Sequence, residues 1–183
     1  MLSPVEDPTF RAVYDRYFDH VARYCLRRLP EVESHDAVSE VFLVVWRRID
    51  EIPDGDETLL WLYSVARNVV RNAERSQRRV LRVLARMRRE PQYAQSGPEI
   101  QVVRHEEDEM LLWALEQLKP EDREVLRLRT YEQLTTPEIA AVLGCSEAAA
   151  RKRIARAIQR LRKTASIADQ SMPVSIRNKG EDR

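Results

Sequence analysis

Between Pro8 and Leu29 apolar residues recur at helical spacing: Phe10, Val13, Tyr14, Tyr17, Val21, Tyr24 and Cys25 share one face, with polar residues between them. The pattern predicts an amphipathic helix that ends near Pro30. A second helix, beginning near Ser34 or His35, runs through DAVSEVFLVVWRRID and closes before Pro53. Its wide apolar stripe is Val38, Val41, Phe42, Val45 and Trp46, and it leaves Asp36, Glu40, Arg47 and Arg48 outside, where solvation alone accounts for them. IPDGDE reads as a turn by its Pro and Asp-Gly content. A third helix is predicted from roughly Thr58 to Arg89.

Within that third helix Leu62, Val65, Ala66, Val69 and Ala73 form one stripe. Arg67, Arg71, Arg75 and Arg78 gather on the opposite face, with Asn68 beside them. Such a face suits a phosphate track, and Trp61 and Tyr63 at the helix start suit either base stacking or a place in the core. For Trp61 the core is the expected place.

EPQYAQSGPE, with two Pro and a Gly, marks a linker. After it, HEEDEMLLWALEQLKP predicts a helix stopped at Pro120, and EDREVLRLRTYEQL predicts another. Then come TTPEIAAVLG and CSEAAARKRIARAIQRLRK, two helices joined by a tight turn. Thr136 is the expected N-cap of the first, with Pro137 at its first helical position. Gly144 can take the left-handed conformation of the turn, and Ser146 can cap the second helix with Glu147 near its positive end. In that second helix Ala150, Ile154, Ala157, Ile158 and Leu161 make an apolar back, while Lys152 and Arg156 point away, flanked by Arg151 and Arg153. An apolar back and a cationic front fit a major-groove helix of a helix-turn-helix.

The expected fold is therefore all-α: two small helical domains joined by a flexible acidic linker, the C-terminal one a helix-turn-helix. The expected boundaries are 8–89, a linker over 90–107, 108–163, and a disordered tail over 164–183. Only 4 Gly among 183 residues agrees with helix over sheet. A formal net charge of +1 argues against a nucleic-acid partner until its distribution is seen. Residues 1–66 carry 13 acids against 7 bases, 67–89 nine Arg against one Glu, 90–109 six acids against one Arg, and 147–163 seven bases against one acid. Two basic segments flank an acidic one, giving two nucleic-acid footprints on one chain.

Catalytic and metal chemistry find no support in the residue pattern, so no cofactor is expected. His20, His35 and His105 are scattered, without Cys-His, Ser-His-Asp or metal-ligand spacing. Cys25 and Cys145 stand far apart and suit structural places. No run approaches the ~20 apolar residues of a membrane span, and the N-terminus lacks a secretory pattern, so a cytoplasmic location is expected.

The arrangement of YDRYFDHVARYCLRRL, DAVSEVFLVVWRR, WLYSVARNVVRNAERSQRR, the acidic linker and LKPEDREVLRLRTYEQLTTPEIAAVLGCSEAAARKRIARAIQRLRK resembles the extracytoplasmic-function (ECF) sigma factors of bacterial RNA polymerase. The resemblance covers about residues 8–163. It implies a non-enzymatic initiation factor whose first domain docks on the clamp helices of the polymerase β′ subunit, with Asp36, Glu40 and Trp46 as docking positions. It implies that IPDGDET and the following helix engage the minus-ten element and capture an extruded base of the melted non-template strand. Asn68 would touch the bases, and Arg71, Asn72, Arg75 and Arg78 the strand and its backbone. Arg151, Lys152 and Arg156 would contact the minus-thirty-five duplex, and an anti-sigma factor is an expected partner.

Two departures bear on specificity. Asn72 stands where many relatives have Asp, and AAARKR replaces the common Gly-Thr-Val-Lys-Ser-Arg start of the recognition helix. Ala148, Ala149 and Ala155 leave few large side chains to reach base edges, which shifts weight to shape and phosphate contacts. The alternative function is an autonomous dimeric helix-turn-helix regulator, which binds palindromic duplex without polymerase. A module that only sequesters another regulator would bind no specific DNA.

Overall fold

The computed structural model describes residues 7–87 and 113–171, and the expected linker, 90–107, lies outside them. The chain is all-α, with no strand among the described residues. It divides into two compact units, Met1–Glu99 and Ile100–Arg183.

In the first unit α1 spans Pro8–Leu26, α2 Glu31–Arg47 and α3 Glu57–Met87, and each packs on the other two. Asp7 opens α1 by accepting hydrogen bonds from the backbone N–H groups of Thr9 and Phe10 at 2.9 and 3.0 Å. α2 begins earlier than its sequence pattern suggests, at Glu31. Ser34 is no cap: it lies buried in the first turn, where its hydroxyl donates to the Glu31 carbonyl at 2.6 Å. Glu31 and Glu33 instead face the positive end of the helix dipole.

The core of this unit is Val21, Tyr24, Cys25, Val41, Val45, Leu62, Ala66 and their neighbours. Tyr24 stacks on Tyr63 at 5.3 Å, and the Arg28 guanidinium lies 3.4 Å over the Tyr24 ring. At the far end of α1, Phe10, Tyr14 and Phe18 surround Phe42 with centroids 4.7 to 6.3 Å from it. Cys25 is wholly buried, and burial pushes its thiol up to about 12, so it is a small packing group at neutral pH.

The second unit begins its described part with a helical turn at 113–116, followed by α4 (Pro120–Thr130), α5 (Thr136–Leu143) and α6 (Glu147–Ser171). Pro120 does stop the preceding turn, and it also stands in the first turn of α4. Leu118, Leu126 and Ala157 cluster with Leu115 and Leu161 against them. Asp122, buried, forms an ion pair with Arg160 that joins α4 to α6. α6 continues to Ser171, past Thr164, where the sequence pattern predicts fraying; Thr164 bonds back to the Arg160 carbonyl at 3.0 Å, and no Gly or Pro intervenes before Pro173.

Candidate nucleic-acid interfaces

The α5–α6 turn is set by local chemistry. Thr135, not Thr136, caps α5: Glu138 accepts from the Thr135 backbone N–H and from its hydroxyl, both at 2.6 Å, in a capping box. These bonds hold the Glu138 carboxyl below its ordinary range. Thr136 is thereby the first helical residue and Pro137 the second. Gly144 ends the helix at φ 61°, ψ 45°, a left-handed conformation that admits Gly with least strain. The Ser146 hydroxyl then accepts from the Ala149 N–H at 3.3 Å and starts α6.

From that start Ala150 and Ala157 face inward, fully buried, and Ile154 and Leu161 are half-buried. Ile158 lies at the margin of the apolar back, 36% exposed. Arg151, Lys152, Arg153 and Arg156 are all exposed. The small inner residues let α6 approach α5 closely, while the charge stays in water: a rigid cationic face on a clamped turn.

In the first unit the basic face belongs to α3. Asp54, Gly55 and Asp56 are exposed in the loop before it, Gly55 turning at φ 68°. Thr58, buried, donates from its hydroxyl to the Pro53 carbonyl at 2.6 Å and so ties the loop to the helix. Asn68, Arg75 and Arg78 are exposed, and Arg71 and Asn72 lie on the same helix, Arg71 half-buried. Arg78 also pairs with Glu74 at 3.1 Å.

The two aromatics at the head of α3 divide their roles. Tyr63 is buried against Tyr24, its hydroxyl 3.5 Å from His20 Nδ1, so it cannot stack on a base. Trp61 is half-buried, with the Arg48 guanidinium 5.5 Å over its ring, so it is the one that keeps an accessible edge. Core placement, expected for Trp61, falls instead to Tyr63. The reason is register: Tyr63 lies one and two turns before Ala66 and Val70, both buried, so the inner stripe is wider than Leu62, Val65 and Val69 alone.

On α2, Asp36 and Glu40 are exposed on one face. Trp46 does not join them in the open: it is half-buried, edge-on to Phe10 at 5.7 Å. Leu43, 51% exposed, stands one turn after Glu40 and two after Asp36 and completes that face. Its signal was readable as a large apolar residue off the Val38–Val41–Phe42–Val45 stripe.

Among the described residues no group of His, Cys, Asp and Glu could hold a metal, and no helix is long and apolar enough to cross a membrane. His20 sits near Tyr17 and Tyr63, His35 is exposed, and His105 is outside the described residues.

Two family models match the chain, Sigma-70 region 2 over residues 13–80 and Sigma-70, region 4 over residues 108–161. The chain is 32% identical over 162 residues to the ECF RNA polymerase sigma factor SigL of Mycobacterium tuberculosis, spanning 87% of this chain and 90% of that protein. It is 32% identical over 158 residues to the ECF RNA polymerase sigma factor BldN of Streptomyces coelicolor, where 85% of this chain spans only 60% of the longer relative. Among solved structures, the sigma factor RpoE in complex with the anti-sigma factor NepR from Bartonella quintana shares the fold, with a TM-score of 0.65 at 18% identity over 86% of this chain and 97% of that one.

Proposed function

The chain belongs to the ECF sigma factors of RNA polymerase, which bind core polymerase and direct promoter-specific initiation, and on that premise we propose how its surfaces divide the work. The first domain, 8–89, docks on the β′ clamp helices through α2, with Asp36, Glu40 and Leu43 in contact and Trp46 holding the helix in place from behind. Its α3 engages the minus-ten element: Asn68 meets the bases, and Arg71, Asn72, Arg75 and Arg78 hold the melted non-template strand and its backbone. The second domain, 108–163, reads the minus-thirty-five duplex through Arg151, Lys152 and Arg156. Residues 90–107 connect them, and the acidic charge of that segment suits a path lined for nucleic acid.

The observation that carries this division is the pair of exposed basic faces, one on α3 and one on α6, in two separate compact units. A regulator reading duplex alone has no use for the first. The protein performs no covalent chemistry and works in the cytoplasm, beside the polymerase. The sigma factor RpoE of Bartonella quintana is solved in complex with the anti-sigma factor NepR, and a protein inhibitor covering these same faces is the expected off-state.

The test is transcription of fragmented genomic DNA by purified core polymerase with and without this protein, mapping transcript starts. New starts that share two spaced upstream motifs are expected. No new starts, together with binding of palindromic duplex by the protein alone, would replace this reading with the autonomous dimeric regulator. Arg151→Ala with Arg156→Ala is expected to cut promoter recruitment about tenfold while core binding stays intact. The salt dependence of recruitment should flatten at the same time, by about 0.9 in log–log slope for every phosphate no longer neutralised. Asp36→Arg with Glu40→Arg should do the reverse.

A further inference from the structure

α6 is fixed at two points along its basic face. At its start the Gly144 turn and the Ser146 cap decide where the helix begins. Arg160 stands 14 residues after Ser146, roughly 21 Å along at about 1.5 Å per residue. There its Nη1 donates to Asp122 Oδ2, in the first turn of α4. Arg151, Lys152 and Arg156 all lie between these two points.

Apolar packing alone leaves the rotation of α6 loosely set. Its buried back is Ala150 and Ala157, with Ile154 and Leu161 half-buried. A methyl group makes a low ridge, so such a back comes close to α4 and α5 but locks weakly against turning in their grooves. A directional bond to a side chain held in the core does lock it. The Asp122 side chain is 9% exposed, whereas Glu121 beside it meets the α4 dipole from open water. The dipole therefore does not account for an acid inside. Of the seven cations in 151–163, Arg160 alone pairs with an acid among the described residues.

We infer that Asp122 and Arg160 are positioning residues for promoter recognition: their pair sets the rotation of α6 about its own axis, and so decides whether Arg151, Lys152 and Arg156 reach base edges or phosphates alone. The inference rests on α6 being the minus-thirty-five helix. On a helix about 10–12 Å across, a side-chain end moves about 1 Å for every 10° of rotation. A hydrogen bond to a base edge at about 2.9 Å is gone by about 3.6 Å. Attraction to a phosphate over the same step weakens only in proportion to the separation. Loosening the pair therefore removes sequence discrimination before it removes affinity. Arg160, engaged by Asp122, touches neither base nor phosphate.

The experiment uses holoenzyme assembled from core polymerase and the full chain, with a promoter taken from the transcript-start mapping. Two fragments are compared, one with the minus-thirty-five element intact and one with it scrambled. The readout is the ratio of the two affinities, which a smaller folded fraction scales alike and leaves unchanged. For Asp122→Asn and for Arg160→Ala the ratio should fall about fivefold, the low end of what one side-chain–base pairing discriminates. The double variant should lose no more than either single one, since both remove the same bond. Arg160→Lys should keep most of the ratio, because the pair is a single bond rather than a fork. An unchanged ratio in Asp122→Asn would leave the pair a stabilising contact only and overturn the inference. So would a fall of about 0.9 in the log–log salt slope of Arg160→Ala on the scrambled fragment, which would make Arg160 a phosphate contact. Equal binding of both fragments by the unsubstituted holoenzyme would instead overturn the minus-thirty-five reading, and this inference with it.

Discussion

The two units present arginine in opposite ways. In the C-terminal unit the basic residues of α6 lie directly over buried Ala150 and Ala157, so each cation has core beneath it, and a capping box and a left-handed glycine clamp the turn that aims them. In the N-terminal unit the basic face of α3 begins over the core at Arg71 and runs off the end of it by Arg75. The first arrangement is a preformed surface suited to a rigid duplex. The second joins a braced part to a projecting one, suited to a nucleic acid that changes from paired to unpaired along its length.

The units also differ in what fills them. Aromatic rings pack together in the first, among valines; the second is filled by aliphatic side chains and tied by an ion pair of which only the carboxylate is buried. The largest expected effect therefore lies in the first: Tyr24→Ala removes a fully buried ring stacked on Tyr63 and should cost about 3–5 kcal/mol by chemical denaturation. A loss below about 1 kcal/mol would break the contrast.

Next comes Asp122→Ala, which strips the partner from Arg160. Because Arg160 is 42% exposed and can turn to water, about 1–2 kcal/mol is expected, well short of a fully buried pair. A double cycle with Arg160→Ala measures the coupling itself. Gly144→Ala should cost about 1 kcal/mol through the left-handed backbone alone, since no atom lies within 4 Å of the added Cβ. Melting curves that leave it unchanged would show that the turn is not held at that conformation in solution.

The smallest effect appears only in alkali. The folded Cys25 thiol, at about 12, lies above its ordinary value of 9.0, so the unfolded chain ionises first. Its contribution is present in full below about 9 and is lost as pH rises from there toward 12. Denaturation at about pH 8 and about pH 10, with and without Cys25→Ala, should show the steeper alkaline loss only when the cysteine is present.

Much of this was readable from spacing. The α3 stripe, the Gly144 turn and the exposed cations of α6 follow from 3.6-residue periodicity and turn chemistry, which act locally. Thr135 as the cap was readable too, through Glu138 three residues on, but adjacent threonines before Pro137 leave the choice open until the bonds to Glu138 are seen. What spacing could not rank was Tyr63 against Trp61, or Trp46 against Leu43. Those choices depend on which neighbour fills the space: Tyr24 claims Tyr63, Phe10 claims Trp46, and Leu43 is left facing water. Where α3 outruns its partners is likewise a matter of the lengths of α1 and α2, not of its own pattern.

That α3 is one unbroken helix from Glu57 to Met87 also sets a rule for insertions and deletions. A helix advances about 100° per residue. One residue gained or lost between Val70 and Arg75 would leave the buried stripe where it is and swing every arginine beyond it a quarter-turn or more around the axis. Four residues would bring the face back to within about 40° while shifting it roughly 6 Å along. Length changes in this stretch are therefore tolerable only near whole turns, even though none of the side chains from Arg71 to Glu74 is fully buried.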